Sequence, residues 1–229
     1  METILITGAN RGIGLALTEA CLNKSYAVLA TYRDEGSCGA LKALGGEHAE
    51  LSLMKLFLDD EASILALAEG LQGRKIDVLI NNAGVMGPTN QSLTAMDSTG
   101  WLNAFAINTI APFTLSRLLL DNLSLAERPR IVTVSSQMGS LNRVSKGAFA
   151  YRSSKAAVNK VMQVMALELQ EQGIVVCPVH PGWVQTDMGG SEAEITAEQS
   201  AVGILELVEK LQLEHSGRFW TWQGEEHPW

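Results

Sequence analysis

Tyr151 and Lys155 are the two residues whose chemistry and spacing stand out in this sequence. They are four positions apart in a run, residues 151–172, whose pattern predicts a long helix, so both side chains leave one helix face a single turn apart. A lysine ammonium beside a phenol stabilises the phenolate, which lowers the pKa of the phenol and makes it a better proton donor near neutral pH. The pair is equally compatible with a tyrosine at the edge of the core beside a solvated lysine, so the rest of the chain must decide.

A glycine-rich turn separates the first predicted strand, residues 3–7, from a predicted helix at residues 15–23. Glycines let the backbone turn tightly and approach a pyrophosphate closely, and the helix N-terminus favours an anion there. The alternative is an ordinary turn between a strand and a helix. The order of elements favours a dinucleotide site, whose candidate residues here are Gly8, Asn10, Arg11, Gly12, Ile13 and Gly14.

Arg33 and Asp34 follow the second predicted strand, residues 26–32, where a dinucleotide-binding unit reads the adenosine ribose. Asp34 could accept a hydrogen bond from a ribose 2′-hydroxyl, which would favour NAD. Arg33, with Arg11 of the glycine turn, could bind a 2′-phosphate, which would favour NADP. Two guanidinium groups converging on one site outweigh one carboxylate, because arginine presents a fork of donors that matches phosphate. We therefore expect NADP, with NAD as the alternative.

Predicted strands and helices alternate along the chain, which indicates one α/β domain, residues 1–229. We expect a Rossmann-type doubly wound parallel sheet of about seven strands with helices on both faces. Strands are predicted at residues 3–7, 26–32, 51–58, 76–80, 130–135, 174–179 and 218–221, and the further helices at residues 61–71, 97–123, 151–172 and 196–213. Ligands bind such sheets beyond the carboxyl ends of the strands. Candidate residues at those ends are Asp59, Asn81, Asn82, Ala83, Gly84, Ser136, Pro181 and Gly182.

Asn108 falls in the middle of the helix predicted at residues 97–123. An asparagine is mildly unfavourable there, so we expect its side chain to have a hydrogen-bond partner. Pro112, four residues later, predicts a kink or a distortion of the helix near Asn108.

Composition and charge narrow the classes of function. The 229 residues, 46% hydrophobic and 18% charged, are enough for one sizeable core. There is no apolar run of the ~18 residues needed for a membrane span, no basic signal-peptide start, and no disulfide pattern among three cysteines, so we expect a cytoplasmic protein. The net charge is −8, and residues 187–229 hold nine acidic and two basic side chains, so we expect no binding to nucleic acid. The four scattered histidines predict no metal site.

Taken in order, these motifs resemble those of the short-chain dehydrogenase/reductase family over essentially the whole chain. Any one motif is common, whereas six in this order are specific. The stretches AYRSSKAAVN (residues 150–159) and HPGWVQTDMGG (residues 180–190) are similar, more narrowly, to a C-factor-like and small carbonyl-reductase branch. The matching pieces are TGANRGIG (residues 7–14), NNAG (residues 81–84), Asn108, Ser135-Ser136, Tyr151-x-x-x-Lys155, and Pro181-Gly182 with Thr186.

The resemblance implies a catalytic tetrad of Asn108, Ser136, Tyr151 and Lys155, with Ser135 as the rival of Ser136. The interval of fifteen residues between Ser136 and Tyr151 is slightly longer than the family's commonest spacing. A short substrate lid at residues 186–197 and a homo-oligomer, dimer or tetramer, are also implied. The implied cofactor contacts are Gly8, Asn10, Arg11, Gly12, Ile13, Gly14, Arg33, Asp59, Asn82, Ala83, Gly84, Tyr151, Lys155, Pro181, Gly182, Val184 and Thr186.

These roles predict an oxidoreductase that moves hydride between NADP(H) and a small carbonyl compound or secondary alcohol, with Tyr151 as the proton donor. Ser136 would hold the substrate oxygen, Lys155 would supply positive charge, and Asn108 would hold a water that re-protonates Tyr151. A different class of function is a dinucleotide-sensing or signalling protein on the same fold with little turnover, which the C-factor likeness keeps open. An epimerase or dehydratase would need further acid or base residues that the sequence does not show.

The short lid and the apolar residues beside the motifs predict an open site for neutral, small or aromatic carbonyl compounds. Arg143 and Lys146 precede Tyr151 and could attract an anionic substrate, but solvated loop charges are the simpler interpretation. The candidates for the pocket wall are Met86, Met138, Phe149, Trp183 and Met188.

Overall fold

Seven parallel strands form one sheet in the order β3-β2-β1-β4-β5-β6-β7. The computed structural model describes all residues from Met1 to Trp229. The strands are β1 Thr3–Ile6, β2 Ala27–Tyr32, β3 Leu51–Lys55, β4 Val78–Asn81, β5 Arg130–Val134, β6 Val175–His180 and β7 Trp220–Thr221. The order of the strands reverses between β1 and β4, as in a doubly wound sheet. The predicted single-domain α/β fold is confirmed.

Helices cover both faces of this sheet. They are α1 Gly12–Asn23, α2 Gly39–Glu47, α3 Glu61–Gly70, α4 Ser98–Phe105, α5 Ala111–Leu118, α6 Leu120–Ser124, α7 Phe149–Glu168 and α8 Ala197–Lys210. Because side chains alternate along a strand, Ile4 and Ile6 face the core under α1 and α8, whereas Leu5 faces the core under α3, α5 and α7. None of the helices combines the length and the apolar character needed to cross a membrane.

The helix predicted at residues 97–123 is divided in the structure. A π turn, Ala106–Ile110, separates α4 from α5, and α5 in turn ends before α6. Pro112 has no N–H to donate to the carbonyl of Asn108 four residues earlier, so the regular α-helical hydrogen bonding cannot continue there. The distortion expected near Asn108 is therefore present, and it takes the form of a wide turn that contains Asn108 itself.

Several elements end earlier than the sequence pattern predicts. Strand β3 ends at Lys55 instead of at residue 58. Helix α8 ends at Lys210 instead of at residue 213. The 3-10 turn Leu213–His215 then leads to the short strand β7, after which the chain folds back along the sheet edge. These differences leave the order of elements unchanged.

Candidate active site

One cleft of about 1310 Å³ runs along the carboxyl edge of the sheet. This volume exceeds the roughly 300–1,000 Å³ of common small-molecule pockets, so the cleft has room for a dinucleotide and a substrate together. Of the predicted catalytic tetrad and cofactor contacts, Asn108 alone does not line it. Asn81, also expected at this edge, is buried and donates to the Ser116 and Thr133 hydroxyls instead. The predicted residues in the cleft wall are Gly8, Asn10, Arg11, Gly12, Ile13, Gly14, Arg33, Asp59, Asn82, Ala83, Gly84, Ser136, Tyr151, Lys155, Pro181, Gly182, Val184 and Thr186.

The glycine turn is held in place by the Asn-Asn-Ala-Gly segment after β4. The Thr7 hydroxyl accepts hydrogen bonds from the backbone N–H of Asn82 at 3.0 Å and of Ala83 at 3.1 Å. The Asn82 amide donates to the carbonyls of Thr7 at 2.9 Å and Gly8 at 3.2 Å. A Cβ at Gly14 would lie 2.2 Å from the Gly8 carbonyl oxygen, so only glycine fits there. The turn therefore leaves the N-terminus of α1 open toward the cleft, where an anion can bind.

Arg33 lies exposed at the rim of the cleft and makes no hydrogen bond or ion pair with the protein. The neighbouring carboxylate of Asp34 accepts the N–H of Gly36 at 3.0 Å and so caps a short 3-10 turn. Arg11 does not join Arg33 in this structure. It pairs instead with Asp187, at 2.5 Å, on the opposite side of the cleft. Of the two guanidinium groups expected at the ribose, Arg33 is the one without a protein partner.

Ser135, Ser136 and Tyr151 all contribute to the cleft wall, but the Ser135 hydroxyl is directed to Asn159. The Ser135 hydroxyl donates to the Asn159 side-chain oxygen at 2.5 Å in the protein interior. The Ser136 hydroxyl accepts the N–H of Met138 at 3.1 Å and also interacts with the Tyr151 phenol. Burial raises the pKa of Tyr151, and the Ser136 hydrogen bond offsets part of that rise. The geometry thus favours Ser136 as the serine that can meet a substrate oxygen.

Lys155 lies beneath Gly84 and donates a hydrogen bond to the Val134 carbonyl at 2.7 Å. Its ammonium nitrogen is 5.8 Å from the centre of the Tyr151 ring. Burial lowers the pKa of Lys155 to about 8, so the side chain still carries its charge at pH 7. The lysine lies near the phenol, as the spacing of four residues predicts. Burial nevertheless raises the pKa of Tyr151, where the sequence pattern predicts a lowered one.

Asn108 lies directly behind the cleft wall. Its side-chain oxygen accepts the N–H of Val85 at 2.8 Å, and its amide donates to the Val85 carbonyl at 2.8 Å and to the Ser154 hydroxyl at 3.0 Å. A Cβ on Gly84 would be 3.2 Å from the Asn108 oxygen. The expected hydrogen-bond partners are present, and they tie the segment after β4 to α7. The water-holding role of Asn108 stays a prediction.

Five residues of the segment 186–197 line the cleft, namely Thr186, Asp187, Met188, Gly189 and Glu194. The role of this segment as a substrate lid stays a prediction. Val184, just before this segment, forms an isolated parallel bridge with Ile195 near its end. The Thr186 hydroxyl accepts the N–H of Gly189 at 3.1 Å, and the Trp183 indole donates to the Gly189 carbonyl at 2.8 Å. The segment is therefore held by hydrogen bonds within itself and to Trp183.

The apolar side chains expected at the pocket are mostly found there. Met86, Met138, Trp183 and Met188 line the cleft, as does Arg143, whereas the predicted Phe149 and Lys146 do not. Phe149 is 38% exposed at the start of α7, because a helix start so close to Tyr151 leaves it on another face.

Two residues of the site had no assigned role in the sequence pattern. Asn159 accepts the hydrogen bond of the Ser135 hydroxyl. The sequence pattern that could have indicated it is its position four residues after Lys155, on the same helix face. His180 lines the cleft at the end of β6, and burial, with His227 and Arg143 nearby, lowers its pKa to about 4. The structure contains no group of three histidine, cysteine or acidic side chains that could hold a metal ion.

Comparisons with known proteins agree with this fold and identify its family. The model of the short chain dehydrogenase family matches residues 2–196. The chain is 43% identical to C-signal of Myxococcus xanthus over 155 residues, which are 67% of this chain and 93% of C-signal. It is 34% identical to the NADPH-bound carbonyl reductase from chicken fatty liver, with a TM-score of 0.93 over 100% of this chain and 99% of the other. It is 31% identical to the carbonyl reductase Sniffer of D. melanogaster, with a TM-score of 0.94 over the full length of both chains.

Proposed function

This chain belongs to the short-chain dehydrogenase family and is therefore an oxidoreductase, and we propose that it transfers hydride between NADP(H) and a small carbonyl compound or secondary alcohol with Tyr151 as general acid and base. The observation that carries the proposal is the meeting of Ser136, Tyr151 and Lys155 in one cleft with the glycine turn. A nicotinamide bound beside these side chains and a substrate oxygen above the phenol would complete the reactants.

The residues at the cleft fit a phosphorylated dinucleotide. The glycine turn presents the α1 N-terminus to a pyrophosphate, and the unpartnered Arg33 guanidinium suits a 2′-phosphate. Asp34 is used as a cap, which disfavours the NAD alternative. The NADPH in the chicken carbonyl reductase supports the same choice. When bound, NADPH supplies the hydride for the carbonyl carbon. The residues that would hold it are Gly8, Asn10, Arg11, Gly12, Ile13, Gly14, Arg33, Asp59, Asn82, Ala83, Gly84, Tyr151, Lys155, Pro181, Gly182, Val184 and Thr186.

The side chains of this protein would manage the proton and the substrate oxygen. Because burial raises the pKa of Tyr151, the phenol holds its proton at neutral pH and can donate it to an alkoxide, which is far more basic than a phenolate. Ser136 orients the same oxygen by donating a hydrogen bond. The charged Lys155, 5.8 Å from the ring centre, stabilises the phenolate that remains. Asn108 supports this arrangement by fixing Val85 and Ser154 around it.

The likeness to C-signal gives a second candidate, a sensing or signalling protein on this fold with little turnover. Tyr151 and Lys155 argue for turnover instead, since a protein that only senses a dinucleotide needs neither a proton donor nor a positive charge beside that donor. Measurable carbonyl reduction by the wild type separates the two candidates.

The test is NADPH oxidation with a panel of aldehydes and ketones, run on the wild type beside Tyr151→Phe. We expect the variant to fold and to bind NADPH, but to lose at least ~10² in kcat, as for a removed general acid. A Tyr151→Phe enzyme that keeps more than about a tenth of the wild-type rate would show that the phenol is not the proton donor. A wild type that binds NADPH without turnover on the whole panel would favour the sensing candidate.

A further inference from the structure

The last residues of the chain lie against the loop that carries Ser136. We call residues 136–143 the serine loop and residues 227–229 the C-terminal segment. The Ser140 hydroxyl donates to the Pro228 carbonyl at 2.9 Å, and the Asn142 N–H donates to the Trp229 carbonyl at 3.1 Å. Ser140 is buried, so these contacts form a packed interface between two segments that are far apart in sequence.

Aromatic packing anchors the C-terminal segment to the sheet. The Trp229 ring stacks on Phe219 with 5.8 Å between ring centres, and Phe219 is completely buried. The backbone N–H of His227 donates to the Phe219 carbonyl at 2.7 Å. The rings of His227 and His180 are T-shaped, with 5.8 Å between their centres. Since His180 lines the cleft, the segment supports the cleft wall from behind.

The other side of the serine loop presses on α7 next to Lys155. A Cβ on Gly139 would lie 2.6 Å from the Lys155 carbonyl carbon, so the loop and the helix are in direct backbone contact. Met138 and Arg143 of the same loop line the cleft. The loop is thus held between the catalytic turn of α7 on one side and the C-terminal segment on the other.

We propose that the C-terminal segment is a positioning element of the active site, which holds the serine loop so that Ser136 and Met138 face the substrate. This inference rests on the proposed carbonyl reduction. The segment does not line the cleft, so it acts through the loop. Loosening it should misalign the hydrogen bond from Ser136 and lower kcat, whereas the cofactor end of the cleft should be unaffected.

Four variants test this proposal. Ser140→Ala removes the bond to Pro228, and Trp229→Ala removes the stacked ring, which Trp229→Phe restores in part. Ser216→Ala is the matched control, since its hydroxyl accepts the N–H of Val176 at 3.0 Å near β7 but does not contact the serine loop. Each variant is measured for kcat, KM, NADPH affinity by fluorescence, and amide hydrogen exchange of residues 136–143 beside the remote strand β3.

We expect Ser140→Ala and Trp229→Ala to speed exchange in the serine loop alone and to lower kcat about three- to tenfold, the size of one lost hydrogen bond. NADPH affinity should stay within about twofold, Trp229→Phe should lie between Trp229→Ala and the wild type, and Ser216→Ala should keep wild-type kcat and loop exchange. Unchanged loop exchange in both disruptive variants, or an equal loss of kcat in Ser216→Ala, would overturn the proposal. If the wild type reduces no carbonyl compound, the proposed function fails, and the exchange comparison still decides whether the segment holds the loop.

Discussion

Exchanging each of the two adjacent serines for alanine should give opposite phenotypes. Both serines are buried at the cleft, but the Ser135 hydroxyl donates to Asn159, while the Ser136 hydroxyl interacts with the Tyr151 phenol. We therefore expect Ser135→Ala to reduce stability with little effect on chemistry. Ser136→Ala should reduce activity with little effect on stability.

The structure sets the size of each effect. Ser135→Ala leaves the buried Asn159 oxygen without its donor, which costs about 1–3 kcal/mol. For a domain of this size that corresponds to a fall in Tm of about 2–12 °C. Ser136→Ala removes the acceptor of the half-buried Met138 N–H. Its cost is expected at the lower end of the losses seen for helix caps, about 0.5 kcal/mol in the free energy of unfolding. This corresponds to a fall in Tm of roughly 1–2 °C. Loss of a donor to the developing oxyanion costs about 10²-fold in kcat.

The measurement is thermal unfolding of both variants beside NADPH-dependent reduction of the best substrate at saturating cofactor. We expect Ser135→Ala to melt earlier and to keep kcat within about threefold at a temperature where it is folded. Ser136→Ala should melt close to the wild type and lose about two orders of magnitude. The assignment is refuted if Ser136→Ala keeps more than a tenth of wild-type kcat, or if Ser135→Ala loses as much as Ser136→Ala does while still folded.

Three further predictions concern charge. Arg33→Ala should weaken NADPH binding far more than NADH binding, because it deletes a partner of the 2′-phosphate alone; fluorescence titration checks this, and equal losses would return the choice to Asp34 and NAD. Burial lowers the pKa of Lys155 from 10.5 to about 8, so between these values the unfolded chain binds a proton there that the folded chain does not. The wild type should therefore gain stability relative to Lys155→Met as pH rises from 8 to 10.5, measured by chemical denaturation, and a constant difference over that range would contradict the shift. Neutral apolar aldehydes and ketones should have higher kcat/KM than carboxylate-bearing analogues of equal size, and the panel is measured at two salt concentrations. A preference for the carboxylates that weakens as salt rises would instead show that Arg143 attracts an anionic substrate.

The fold was predictable because a parallel sheet covered on both faces reads as short apolar runs. Residues 76–80 have this pattern, and β4 lies there. The positions of the site residues followed from the same reasoning, since the carboxyl ends of all strands meet at one edge. Element ends were less accurate, as β3 illustrates, because local pattern does not say where a strand loses its neighbour.

What the sequence could not supply were choices that depend on tertiary partners. Ser135 and Ser136 are identical in type, and only their partners distinguish them, the Asn159 oxygen for Ser135 and the Tyr151 phenol for Ser136. Arg11 was expected near Arg33, but the Asp187 carboxylate, 176 residues away in sequence, is its partner. The raised pKa of Tyr151 reflects burial, which spacing from Lys155 does not reveal.

The wide turn at Ala106–Ile110 makes chain length the property that must be preserved between α4 and α5. Each residue of an α-helix advances the side-chain direction by about 100°. Deleting one residue after Asn108 would therefore rotate the side chains of α5 by about that angle relative to α4 and Asn108. Either Asn108 would leave Val85 and Ser154, or Leu115 would leave the core. An insertion or deletion in the turn is therefore disruptive even where every side chain is kept. Viable length variants should instead place their extra or missing residues in the exposed turn at residues 92–95, in the loop between β4 and α4.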